Sequence, residues 1–120
     1  MISEKMIYVI FEVVIKKDYM DQYLNLAAKL KRHVEANKGF VRSERFSSLV
    51  DERKLLSLSV WENEDYLNEW RNQIDHRLSQ KEGRDNIFES YTTTVTSKLR
   101  CYTNNDRAEA PGDSNDFLNR

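Results

Sequence analysis

A group of side chains between positions 66 and 84 combines a flat aromatic surface with groups that could remove a proton and hold an anion. His76, Gln80 and Arg84 recur at i, i+4 and i+8, so a continuous helix would bring them into one polar row. The imidazole of His76 titrates near neutral pH and could accept a proton, and the guanidinium of Arg84 could pair with an anion. Trp70 offers a flat wall and an indole N–H, and Tyr66 lies one turn earlier on the same stripe. We predict catalytic roles for Trp70, His76 and Arg84, and substrate contacts for Tyr66 and Gln80.

Three of these side chains also have a purely structural interpretation. Trp70 lies on an apolar helical stripe and could serve packing alone. On an ideal helix His76 lies about 200° from Ile74, so it points away from the core face unless the helix is broken. Arg84 could bridge two subunits or neutralise a helix end.

Glu12 and Cys101 are better explained by structure than by chemistry. Burying an unpaired carboxylate in the apolar first strand would cost free energy, so we expect Glu12 to pair with Arg42, Arg45 or Arg100 across strands. A pocket base is the alternative for Glu12. We expect Cys101 to be a small buried or interface residue.

The elements that must position these residues follow from the apolar periodicity. In chain order we predict a strand over residues 6–15, a helix from an Asp18 cap to about 37, strands over 40–49 and 54–61, a helix from an Asn63 cap to near Gly83, and a strand over 87–102. The order β-α-β-β-α-β predicts an α+β, ferredoxin-like fold, in which both helices cover one face of an antiparallel four-stranded sheet. We therefore predict a domain over residues 1–103 and, over 104–120, a polar tail that is extended or partly ordered against the partner subunit of a dimer.

The predicted first strand is apolar on both faces apart from Glu12, although the helices cover only one face of the sheet. An uncovered apolar face needs a partner. We therefore expect a homodimer, in which a second copy packs on the open sheet face about a two-fold axis. A ligand could cover this face instead.

Composition bounds the range of functions. The chain has 120 residues and 14.3 kDa, which suits one domain. Its 19 basic and 20 acidic residues leave a net charge of -1, so we expect neither a nucleic-acid nor a membrane partner. A single cysteine excludes an internal disulfide and a cysteine-rich zinc site, and residues 6–15 are too short an apolar run to span a bilayer. We expect a cytoplasmic protein.

Several stretches together resemble the antibiotic biosynthesis monooxygenase (ABM) domain family, whose members are dimeric α+β barrel proteins. The resemblance lies in residues 56–62, in Trp70 and Arg71, and in the run His-Arg-Leu-Ser-Gln-Lys-Glu-Gly-Arg at 76–84. It continues through Phe88, Tyr91, Val95 and residues 100–102, and it reaches residues 107–114, which are similar to the tail of one bacterial subgroup.

The resemblance implies a homodimer with a pocket between sheet and helices in each subunit. It implies a monooxygenase that acts with molecular oxygen on a small aromatic compound of the quinol or anthrone type, without metal, flavin or haem. Other members of the family bind or degrade haem, and others have no established substrate. A haem-handling dimer, with His76 as axial ligand, or a non-catalytic dimer that binds a small ligand, is therefore the alternative. The haem-degrading pattern is incomplete here, because residues 6–15 contain no Asn and Gln80 stands where its His is expected.

Overall fold

The computed structural model describes residues 5–73, 77, 80–81 and 83–118, and the statements below concern these residues. The elements are strand β1 (Ile7–Ile15), helix α1 (Met20–Glu35), strands β2 (Phe40–Ser47) and β3 (Lys54–Trp61), helix α2 (Glu64–Arg71), a π-helical turn (Gly83–Ile87), strand β4 (Phe88–Ser97) and helix α3 (Gly112–Leu118). The sheet order is β2-β3-β1-β4 with antiparallel neighbours, which confirms the predicted α+β, ferredoxin-like fold. In the described part of the chain, no helix has the length and apolar character needed to cross a membrane.

The central strand β1 separates a helix-covered face of the sheet from an outer face. Ile7, Val13 and Ile15 are buried beneath the helices, as the alternation of side chains along a strand requires. Val9 and Phe11 share that face, and their partners on β3 are only serines, Ser59 and Ser57.

Two clusters of buried side chains lie at opposite ends of β1. One forms around Val13, Ile15, Tyr23, Ala27, Leu55 and Ile87. The other forms around Ile7, Trp61, Leu67 and Trp70. The middle of β1 therefore lies between two well-packed regions.

The start of α2 agrees with the sequence prediction, whereas its end and the start of α1 differ. The predicted helix from Asn63 to near Gly83 is too long, because α2 ends at Arg71 with Asn72 as its C-cap, so Trp70 and Arg84 do not share one continuous helix. The Asn63 side chain caps α2 by accepting a hydrogen bond from the Tyr66 backbone N–H at 3.1 Å, as predicted. The prediction that Asp18 caps α1 is wrong. Asp18 instead has φ +72° in a turn, closed by a bond of 3.0 Å from the Tyr19 N–H to the Lys16 carbonyl, and the helix begins at Met20.

The last strand is shorter than predicted, ending at Ser97 rather than at residue 102. Its only neighbour in the described sheet is β1, which begins at Ile7, so residues after Lys98 have no strand beside them. The Lys98 N–H makes a final bond of 3.0 Å to the Met6 carbonyl.

The tail, predicted to be extended or partly ordered, contains the short helix α3 and is organised around Arg107. The Arg107 guanidinium donates to the Asn115 side chain at 2.9 Å, to the Ser114 hydroxyl at 2.8 Å and to the Thr103 carbonyl at 3.2 Å. It also lies 5.0 Å from the centre of the Tyr102 ring.

The outer face of the sheet carries the one acid of β1. Glu12 is half-buried and pairs with Lys54 at 3.9 Å, so its partner is this lysine and not one of the three predicted arginines. The Cys101 thiol is exposed in a single chain, so the prediction of a buried residue is wrong, and the prediction of an interface residue stays a prediction.

Candidate functional site

A cavity of about 700 Å³ lies between the helices and the middle of the sheet. Its floor includes Val9 and Phe11 of β1, flanked by Ser57, Ser59 and Thr93 on the neighbouring strands. Serine and threonine are too small to fill the space below the helices, so the layer that would otherwise be core remains open. The volume lies in the range of small-molecule sites, roughly 300–1,000 Å³.

Trp70 forms part of the wall and is fixed from behind by Trp61. The two indoles stack with centroids 6.5 Å apart and planes at 23°, and Trp61 is wholly buried. The Trp61 indole N–H donates to the Ser59 hydroxyl at 3.1 Å, which orients the ring. Trp70 is 7% exposed, so one indole both packs in the core and borders the cavity.

A buried phenol, Tyr23 of α1, faces the same space. Burial raises the pKa of Tyr23, because an ionised phenolate would lose its hydration. The nearby guanidinium of Arg45, which lies 5.7 Å from the centre of the ring, opposes part of this rise. A phenol with the ordinary pKa of 10.0 is already protonated at neutral pH, and burial keeps Tyr23 protonated to higher pH as well, so it is available as a hydrogen-bond donor.

The mouth of the cavity is basic and polar. Arg71, Arg77, Lys81 and Arg84 line it together with Gln80, and all five side chains are exposed. Arg71 ends α2, Arg77, Gln80 and Lys81 are helical, and Arg84 lies in the π-helical turn.

The structure brings three of the five predicted site residues together. Trp70, Gln80 and Arg84 line the cavity. Tyr66 lies outside the described lining and packs instead against Gly39, although it is on the same helix as Trp70. His76 lies outside the described residues.

Several lining residues were not predicted from the sequence as site residues. Tyr23 lies within the first predicted helix without any predicted role, and Arg45 was predicted only as a partner for Glu12. Arg77 and Lys81 carried a usable signal, because with Arg84 they recur at i, i+4 and i+7. Ser57 and Ser59 of β3 also carried a usable signal, because they are small polar residues in the middle of an otherwise apolar strand.

The chain was compared with known families and proteins. A family model described as antibiotic biosynthesis monooxygenase matches residues 6–82. The jasmonate monooxygenase ABM of Pyricularia oryzae is 36% identical over 90 residues, which is 75% of this chain and 42% of that protein. The chain thus spans about two fifths of that relative's length.

Similar solved structures share the fold at low sequence identity. SnoaB, a cofactor-independent oxygenase from Streptomyces nogalater, superposes with a TM-score of 0.71 at 10% identity, over 81% of this chain and 96% of that one. A putative antibiotic biosynthesis monooxygenase from Nitrosomonas europaea gives 0.72 at 11% identity, over 82% and 95%. A protein from Mycobacterium tuberculosis gives 0.74 at 15% identity, over 82% and 99%.

Proposed function

The chain belongs to the antibiotic biosynthesis monooxygenase family, and from that premise we propose that it is a cofactor-independent monooxygenase acting on a small, electron-rich ring compound. The observation that carries the proposal is the cavity of about 700 Å³ that Trp70 borders between sheet and helices. A quinol or anthrone is the substrate type that its flat aromatic wall suits best.

The proposed reaction needs no outside reductant. An anthrone-type substrate loses two hydrogens at one ring carbon and gains a carbonyl oxygen there. One atom of O₂ forms the new carbonyl, and the other leaves as water with the two hydrogens. The electrons come from the substrate, because its deprotonated form is electron-rich enough to reduce O₂.

The protein's part is to bind, exclude water and manage protons. Phe11, Leu67 and Trp70 supply apolar walls that hold the ring in a dry environment. Tyr23, which is protonated at neutral pH, would donate a hydrogen bond to the substrate oxygen as it becomes negative, and Arg84 would add positive charge at the mouth. His76 remains our candidate for the base that takes the first proton.

We also propose that the active form is a homodimer through the outer face of the sheet. Ile10, Leu56 and Leu58 are half-buried on this face in a single chain, and a second copy would cover them. The haem alternative depends on His76 as axial ligand and gains no support from the described residues.

The test measures oxygen uptake by metal-free, flavin-free protein with three probes in an oxygen electrode. Anthrone and naphthalene-1,4-diol represent the proposed class, and jasmonate is included because the Pyricularia relative is named for it. We expect uptake above the rate of spontaneous oxidation with anthrone or naphthalene-1,4-diol, and none with jasmonate, which cannot itself supply the electrons that reduce O₂. Uptake no faster than in protein-free buffer with both aromatic probes, or uptake only after addition of metal or flavin, would overturn the proposal.

A variant pair connects the activity to the cavity. Trp70→Phe keeps an aromatic side chain but shrinks the wall, and we expect kcat/KM to fall about ten-fold or more. Tyr19→Phe alters an aromatic residue outside the described lining and should leave kcat/KM unchanged. Thermal unfolding followed by circular dichroism confirms that both variants are folded before their rates are compared.

A further inference from the structure

The described lining of the cavity carries far more positive than negative charge. It contains one acid, Glu44, and six basic residues, whereas the whole chain has 19 basic against 20 acidic. The basic residues are Lys31, Arg45, Arg71, Arg77, Lys81 and Arg84. Lys31 pairs with Glu35 of its own helix at 3.8 Å. The charge balance of the whole chain does not produce this excess of basic side chains, so among the described residues the mouth of the cavity favours anions.

Two of these basic side chains, Arg71 and Arg77, are positioned by hydrogen bonds to uncharged asparagine side chains, which do not neutralise them. The Arg71 guanidinium donates to the Asn68 side-chain oxygen at 3.2 Å, and the Arg77 guanidinium donates to the Asn72 side-chain oxygen at 2.7 Å. An amide oxygen restricts where a guanidinium lies but leaves its full positive charge in place.

The cations and the apolar surfaces occupy different parts of the cavity. Arg77, Lys81 and Arg84 are all exposed and all line the cavity. Their i, i+4, i+7 spacing favours positions on the same side of this segment. Deeper in the cavity, Leu67 and Trp70 are buried. A ligand that fits both regions has an apolar body and an anionic end.

We infer that the ligand of this cavity is an amphipathic carboxylic acid, whose apolar body lies against Trp70 and whose carboxylate lies at the mouth among Arg71, Arg77 and Lys81. The inference deepens the proposed function and rests on it for the identification of the cavity as the substrate site. Guanidinium groups match the two oxygens of a carboxylate, and the exposed mouth lets that group keep part of its hydration. The anchored carboxylate fixes which end of the ligand enters the cavity.

The test is isothermal titration calorimetry with three matched pairs of acid and methyl ester: 4-phenylbutyrate, 2-naphthoate and 1-naphthylacetate. The esters keep the apolar body and lose the charge. At 50 mM NaCl we expect the acid to bind about ten-fold or more tightly than its ester in at least one pair. At 500 mM NaCl this preference should shrink, because salt screens charges at an exposed mouth.

A double variant and a matched control test whether basic residues at the mouth of the cavity cause the preference for the acid over the ester. In Arg77→Gln/Lys81→Gln we expect the preference to fall to about three-fold or less. Lys29→Gln/Arg32→Gln removes the same charge from exposed positions of α1 outside the described lining, and should keep the preference of the parent protein. Circular dichroism melting shows whether each variant is folded.

The outcomes separate this inference from the proposed function. Three results would overturn the inference: equal binding of acid and ester in every pair, no binding by any acid, or a preference for the acid that survives in Arg77→Gln/Lys81→Gln. Acid binding without oxygen uptake by any substrate would leave the carboxylate site standing and remove the monooxygenase. Turnover of a neutral quinol, with no preference for acid over ester in binding, would leave the monooxygenase standing and remove the carboxylate site.

Discussion

Tyr23 shows how burial of a single residue controls the chemistry that a cavity can offer. Burial raises the pKa of its phenol, and Arg45 offsets this only in part. The chain has six tyrosines, so Tyr23 should ionise at higher pH than freely hydrated ones. Absorbance at 295 nm in a pH titration should show a late component that Tyr23→Phe removes.

The same shift makes a prediction for stability, with a definite sign. Above the ordinary pKa of 10.0 the unfolded chain loses the Tyr23 proton while the folded chain retains it. The folded state is then penalised, so the contribution of Tyr23 is fully present below pH 10 and is lost as the pH rises through the raised folded value. Urea unfolding should therefore lose less stability between pH 9 and 11 in Tyr23→Phe than in the parent. An identical loss in both proteins would contradict the assignment.

At the residue scale, the sequence could predict roles that depend on local spacing but not those that depend on empty space. The Asn63 cap and the apolar stripe of α2 follow from neighbours along the chain. The cavity does not, because it requires Ser57 and Ser59 to lie under helices whose packing distance is set by the clusters at both ends of β1.

At the scale of elements, the close approach of α2 to the turn before β2 depends on Gly39. Its φ of +84° is unfavourable for residues with a side chain, and a Cβ built there would overlap the ring and Cβ of Tyr66. The backbone carbonyl of Gly39 also accepts a bond of 2.8 Å from the Glu62 N–H, which joins this turn to the end of β3. Tyr66 therefore acts in this structure as a packing residue between helix and turn.

Gly39→Ala should cost at least about 2 kcal/mol of unfolding free energy, from backbone strain and the overlap with Tyr66 together. In a Tyr66→Gly background both the ring and the Cβ are absent and the overlap disappears, so the same substitution should cost only the strain, about 1–2 kcal/mol. Gly39→Asn provides the complementary control, since asparagine tolerates positive φ but still carries a Cβ. Urea denaturation of the four proteins of the cycle measures the difference, and equal costs in both backgrounds would contradict the overlap.

Elements were predictable where their pattern is local and less so where a neighbour limits them. The β-α-β-β-α-β order of elements and the antiparallel four-stranded sheet agree with the sequence prediction. The end of β4 at Ser97 is set by the start of β1, about 90 residues earlier, and the helix α3 depends on the contacts of Arg107. Neither cause is visible in the apolar pattern of the segment itself.

At the scale of the whole molecule, the outer face of the sheet makes the proposed dimer testable. Leu58 lies centrally on that face, paired with Ile10 on one side and Glu44 on the other. A second copy would bury it, and a buried charge without a partner is costly. Sedimentation equilibrium should give about twice 14.3 kDa for the parent and about 14.3 kDa for Leu58→Arg.

Leu49→Arg is the matched control, because Leu49 is fully exposed in the β2–β3 connection and lies off the sheet face. It should remain a dimer, and a parent protein that sediments as a monomer would contradict the proposal. The described cavity lies on the helix side of the sheet, opposite the face on which the second copy is proposed to pack, so a folded Leu58→Arg monomer should retain the ligand affinity of the parent within about three-fold. If the monomer instead loses ligand affinity while its melting temperature is preserved, the second copy contributes to the site. In that case the two faces of β1 form one functional unit, which the alternation of its side chains alone would not suggest.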